Sequence, residues 1–153
     1  MATTKRDSTS ADSFTAEERA AMKEHAKELQ ASRRRSKDPA VRAAEEEQAV
    51  VDKIAELDGD DRVLAEKVHA LVKVSAPSLT GKLWYGMPAW AKDGQIVCFF
   101  QPAAKFKARY STLGFNDAAR LDDGTMWPTS YALTTLTKDD EARLAELLRR
   151  AAG

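Results

Sequence analysis

The sequence predicts an α+β fold: a mostly antiparallel sheet of about five strands, with packed N-terminal helices and a C-terminal helix. Three observations lead there. Eight of the eleven aromatic residues lie between Trp84 and Phe115, and glycine and proline share that bias. Before this block, apolar residues recur at helical spacing with few breakers. After Leu136 the helical spacing returns in Leu144, Leu147, Leu148 and Ala151.

The elements follow in chain order. Residues 1–13 are polar and rich in Ser and Thr, and they hold too little apolar surface to offset the entropy of ordering; a disordered tail is expected. Residues 14–37 form a helical extension. Thr15 caps its helix, with Glu18 at the capping-box spacing. A thin stripe of Met22, Ala26 and Leu29 ends in Arg33-Arg34-Arg35, a basic run suited to a helix C-terminus. Residues 38–153 form the main domain. Asp38-Pro39 restarts the chain as N-cap and first helical residue. Val50, Val51, Ile54 and Leu57 make the inner face of the second helix, which Asp58-Gly59 closes. A third helix starts near Asp60 or Asp61, carries Leu64, Val68, Leu71 and Val72, and ends at Pro77.

The sheet begins near Lys82. Leu83 to Ala91 reads as a strand that Pro88 interrupts, with a bulge or free edge there because proline has no amide to donate. Asp93-Gly94 is a hairpin signal. Ile96 to Phe100 is apolar on both faces, as a central strand covered on both sides should be. Lys105 to Tyr110 alternates, with Phe106, Ala108 and Tyr110 on one face and Lys105, Lys107 and Arg109 on the other. A short helix over Asn116 to Leu121, a turn at Asp122-Asp123-Gly124, and extended pieces at Met126-Trp127 and Tyr131 to Leu133 follow. Thr137 caps the last helix with Asp140 at N3.

Composition limits the function classes. The 153 residues balance 24 Lys and Arg against 24 Asp and Glu. Wholesale electrostatic binding of nucleic acid is therefore disfavoured, since such domains run strongly basic. No apolar run reaches bilayer length, and Met1 to Ser13 has no signal-like core. The lone Cys98 allows no internal disulfide and fits a reducing cytoplasm. Zinc needs clustered Cys and His, whereas His25 and His69 lie on different helices. Cys98, inside an apolar strand, reads as a buried hydrophobe rather than a nucleophile. Gly81-Lys82 fails as a phosphate loop, because Ala76 and Leu83 stand where a glycine and a Ser or Thr are required. No nucleophile with its base can be named, so catalysis has no support.

Two features invite ligands. Between Lys82 and Phe115 the cations Lys82, Lys92, Lys105, Lys107 and Arg109 face Asp93 alone, with aromatics interleaved. Such a surface suits an anionic small molecule or a single nucleic-acid strand; a solvated sheet face shows the same alternation. Trp84 to Trp90 packs Trp84, Tyr85, Met87, Pro88 and Trp90 into one segment. This is either core or the wall of a pocket opened by a bulge, with Trp127 joining from a neighbouring strand. A third feature, the acidic run from Glu45 to Asp61, reads mainly as a solvated helix face and secondarily as weak binding of a hard cation.

Lys82-Leu83-Trp84-Tyr85-Gly86-Met87-Pro88-Ala89-Trp90, Val97-Cys98-Phe99-Phe100, Lys105-Phe106-Lys107 and Gly124-Thr125-Met126-Trp127-Pro128 together resemble the YdhG-like family, a domain of unknown function. The resemblance spans Val50 to Ala152, with Met87-Pro88 its most specific part. It implies a compact α+β fold with a mostly antiparallel sheet. Some members are described as frataxin-like iron chaperones, so iron is a possible cargo by resemblance alone. No metal-binding residue is carried over, and no other cofactor is expected.

The expected function is a non-enzymatic cytoplasmic binding domain. A small anionic or aromatic ligand would sit by Trp84, Tyr85, Met87, Pro88, Trp90 and Trp127, with Lys105, Lys107 or Arg109 supplying charge. Iron delivery and a nucleic-acid or protein interaction module are the alternatives. The sequence names no partner and no oligomeric state.

Overall fold

The computed structural model describes residues 13–153. The expected tail therefore lies outside the described residues, apart from Ser13. Four helices and five strands follow in the order α1 (Ala16–Arg34), α2 (Pro39–Ala55), α3 (Gly59–Ser75), β1 (Thr80–Gly81), β2 (Ala89–Lys92), β3 (Gln95–Gln101), β4 (Ser111–Phe115), β5 (Ser130–Leu133) and α4 (Lys138–Ala152). The strands form one antiparallel meander in sequence order. The α+β class is thus as expected.

Local chemistry explains the helix starts. Thr15 Oγ1 accepts from the Glu18 amide at 3.1 Å. Asp38 accepts from the amides of Ala40 and Val41, with Pro39 following it. Thr137 and Asp140 complete a reciprocal capping box. Each cap satisfies amides that have no partner inside the helix. The second helix stops at Ala55 rather than at Asp58-Gly59, and α3 already begins at Gly59.

The core lies on one face of the sheet. Val50 and Ile54 of α2, Leu64, Val68 and Val72 of α3, and Leu144 and Leu148 of α4 pack on Trp90, Cys98, Phe100 and Leu113. Full burial of each such side chain contributes roughly 1.5–3 kcal/mol. Register assigns the opposite face: Phe99 pairs with Ala89 and with Gly114, one residue out of phase with the core-facing Phe100.

Several expected elements are absent. Leu83 to Ala91 is not one strand but a hairpin: Trp84 and Met87 exchange both backbone hydrogen bonds at 3.0 Å around Tyr85 and Gly86. Pro88 is buried, and its carbonyl accepts from Phe100 at 2.8 Å, so it makes neither a bulge nor a free edge. The bulge falls at Val97, which the register skips between Trp90–Cys98 and Ala91–Ile96. Lys105 to Tyr110 is a chain of turns, and the neighbouring strand is Ser111–Phe115 instead. Asp61 of α3 holds those turns by accepting from the amides of Ala103 and Ala104 and from Ser111 Oγ. Asn116 to Leu121 makes one turn, closed by Ala119 N–H to Asn116 O, and not a helix; Met126-Trp127 lies outside any strand.

Candidate functional site: the hairpin tip under the first helix

The tip of the β1–β2 hairpin is built from two residues with positive φ, Tyr85 at 52° and Gly86 at 77°. This is the pattern of the primed turns, whose twist matches that of paired strands. Glycine adopts it freely, but tyrosine is strained there. A Cβ on Gly86 would also strike the Lys105 ammonium and reach within 3.0 Å of Glu24 Cγ. The tip is thus a crowded polar contact.

The first helix fills that contact. Glu28 accepts from the Tyr85 amide at 2.9 Å and from the Gly86 amide by a shorter bond. The His25 ring stacks on Tyr85, with centroids 4.1 Å apart and planes 12° from parallel. Lys105 Nζ donates to the Tyr85 carbonyl at 3.3 Å. Glu24 pairs with Lys53 of α2 at 3.4 Å, and Glu17 with Lys107 at 3.0 Å. These contacts set the electrostatics. Burial is the main cause that lowers the Lys105 pKa; the Lys53 charge adds to it, and Glu24 and Glu28 oppose it. A hydrogen bond from Lys107 lowers the pKa of Glu17. The docked face of α1 is therefore its acidic one. The thin apolar stripe takes no part in the docking: Met22 and Leu29 stay exposed, and α1 buries no residue.

Beside the tip lies a cleft of about 400 Å³ between α1 and the sheet. Leu83, Trp84 and Ile96 form its apolar wall; Lys27, Lys82 and Arg35 bring cations to it, and Glu24, Glu28 and Glu46 bring carboxylates, with Lys27 paired to Glu24 at 3.9 Å. Trp84 is held by Phe99 at 5.0 Å and by the edge of Tyr85 at 5.3 Å. Phe99 in turn lies over Gly114, where any Cβ would run into its ring.

The expected site residues are only partly brought together. Trp84, Tyr85 and Lys105 meet at the hairpin tip. Met87 and Pro88 lie in the same hairpin but are buried. Trp90 points the other way: its β1 partner is Gly81, three residues from Trp84, so the two tryptophans take opposite faces. It is fully buried, and its indole N–H donates to His69 Nδ1 at 3.2 Å. Lys107 is occupied by Glu17, and Arg109 lies 5.5 Å over the Tyr110 ring. Trp127 lines a separate depression with Phe115, Leu121 and Thr129. Glu24, His25 and Glu28 were not expected at the site. Their spacing does mark one helix face, but nothing local says that this face docks.

Other chemistry is accounted for. Burial pushes the Cys98 thiol up to about 12, far from a reactive thiolate. The carboxylates from Glu45 to Asp61 are dispersed among separate partners: Ser36, Arg42, Gly81 with Lys73, and Ser111. Among the described residues no three His, Cys, Asp or Glu side chains converge as metal ligands would. No three-ligand site for iron is thus formed among the described residues. No helix among them is long and apolar enough to cross a membrane. No family model, curated protein or solved structure matches this chain.

Proposed function

We propose that the chain is a binding domain for a small anionic molecule with an apolar or planar part, held in the cleft between α1 and the sheet. The observation that carries this reading is the apolar wall of Leu83, Trp84 and Ile96 beside Lys82 and Arg35 in a cleft of about 400 Å³, whose carboxylates Glu24, Glu28 and Glu46 are held by Lys53, the hairpin-tip amides and Arg42. Volumes of that order accommodate small organic ligands, and a few charged groups at an apolar wall fix orientation. Lys82, which lines the cleft together with Trp84, takes the role expected of Lys107 and Arg109.

Anilinonaphthalene sulfonate, an anionic aromatic dye, tests the reading. Fluorescence titration should give saturable binding to one site. Trp84→Ala and Lys82→Gln should each weaken it about tenfold, a loss of roughly 1.4 kcal/mol. Unsaturable binding, or affinity unchanged in both variants, rejects the cleft as the site.

A further inference from the structure

Helix α1 docks without burying a residue. What it offers is a carboxylate on two adjacent amides and a planar ring on Tyr85. The receiving surface is the reverse: the Tyr85 and Gly86 amides point outward together, Lys105 stands over Gly86, and Lys53 lies close enough for its charge to act on Lys105. Adjacent amides in a positive-φ turn make a concavity for anions, and an ammonium beside it adds charge. The strained Tyr85 presents its ring at the same place. His25, Glu28 and Trp84 also line the open cleft, so a molecule there reaches the tip without crossing the core.

From this we infer that the Tyr85–Gly86 tip with Lys105 is a binding site for an aromatic carboxylate, and that α1 fills it with Glu28 and His25 as an internal substitute. The carboxylate of the ligand takes the two amides from Glu28, and its ring takes the face of Tyr85 from His25. This deepens the binding reading above and rests on it. Carboxylate contacts and one stacked ring hold α1 at the tip, with no residue of α1 buried in the core, so an exchange of equivalent contacts displaces it without opening the core. A ligand competing with a covalently attached occupant binds more weakly by the fraction of time the site is free. Removing the occupant's side chains therefore raises apparent affinity.

Naphthoate is the probe, titrated calorimetrically into the full chain. The His25→Ala, Glu28→Ala double variant should bind it at least tenfold more tightly than the wild-type chain does. Adding Lys105→Gln should cancel the gain, and naphthalenemethanol, which lacks the carboxylate, should show no gain. In the wild-type chain, naphthoate should shift the amide resonances of Tyr85 and Gly86, a readout independent of whether the variants fold. No gain in the double variant overturns the inference, as does a gain that survives Lys105→Gln or silent Tyr85 and Gly86 amides. If the sulfonate dye still depends on Trp84 and Lys82 while naphthoate shows no gain, the internal occupant is wrong and the cleft stands. Failure of the dye test as well removes both.

Discussion

His69 sits between two partners that fix its proton. The Trp90 indole N–H donates to Nδ1, so the neutral ring carries its hydrogen on Nε2, which faces Glu47 Oε1 at 3.4 Å. Burial lowers the His69 pKa below its ordinary value; Glu47 opposes the shift and Lys73 adds to it. Glu47 is also held low. Burial raises its pKa, but the hydrogen bonds from Lys73 and the Gly81 amide, with the charges of Lys73 and His69, outweigh that. In the unfolded chain both groups bind protons more readily. Stability is therefore full above the unfolded histidine value. It falls as pH drops from about 6.5 through the folded value, and falls again below about 4.5 as Glu47 protonates. In urea unfolding between about pH 7.5 and 5, the wild-type chain should lose stability, and His69→Gln should flatten that loss. The glutamine oxygen can still accept from Trp90. Parallel pH profiles would show that His69 does not carry the effect. Only part of this triad was legible: the spacing marked Trp90 as core or pocket wall, but nothing tied it to His69 or Glu47.

At the scale of elements, capping chemistry was legible and strand boundaries were not. Thr15, Asp38 and Thr137 start helices because their side-chain oxygens sit beside unpaired amides one turn away, a wholly local matter. The alternation of Lys105 to Tyr110 has the period of a strand, yet the segment turns. Lys107 has φ 51°, and Asp61, far off in sequence, takes the amides of Ala103 and Ala104. Trp84 to Met87 likewise looks extended until the closure at Tyr85–Gly86 is known. The pairing of β3 with β4 gives a further test. Phe99 lies across Gly114, so Gly114→Ala should force the ring aside and destabilise the fold by about 1–3 kcal/mol. The shift in urea midpoint at unchanged slope measures it. An unchanged midpoint would mean that the ring moves freely and does not brace Trp84.

Across the whole molecule, two kinds of packing hold the chain. The helices α2, α3 and α4 share an apolar core with the sheet, whereas α1 attaches by carboxylates, one stacked ring and the contacts of Arg42 with Ser32. These are partly exposed polar contacts with no residue of α1 buried beneath them, so α1 opens at lower cost than the body. Hydrogen exchange should therefore show the amides of α1 exchanging markedly faster than those of α3, which buries Leu64, Ala65, Val68 and Val72. Equal protection in the two helices would mean that α1 is part of the cooperative unit. The sequence by itself determined the α+β class, the starts of α1, α2 and α4, the central strand and the enrichment of rings and cations after Lys82, because periodicity, caps and composition are set by near neighbours. Only the tertiary structure decided that Trp84 and Trp90 part to opposite faces and that the acidic side of α1 meets the hairpin tip. Those outcomes depend on which distant groups satisfy a turn's amides and a lysine's charge, and short-range spacing carries no record of that.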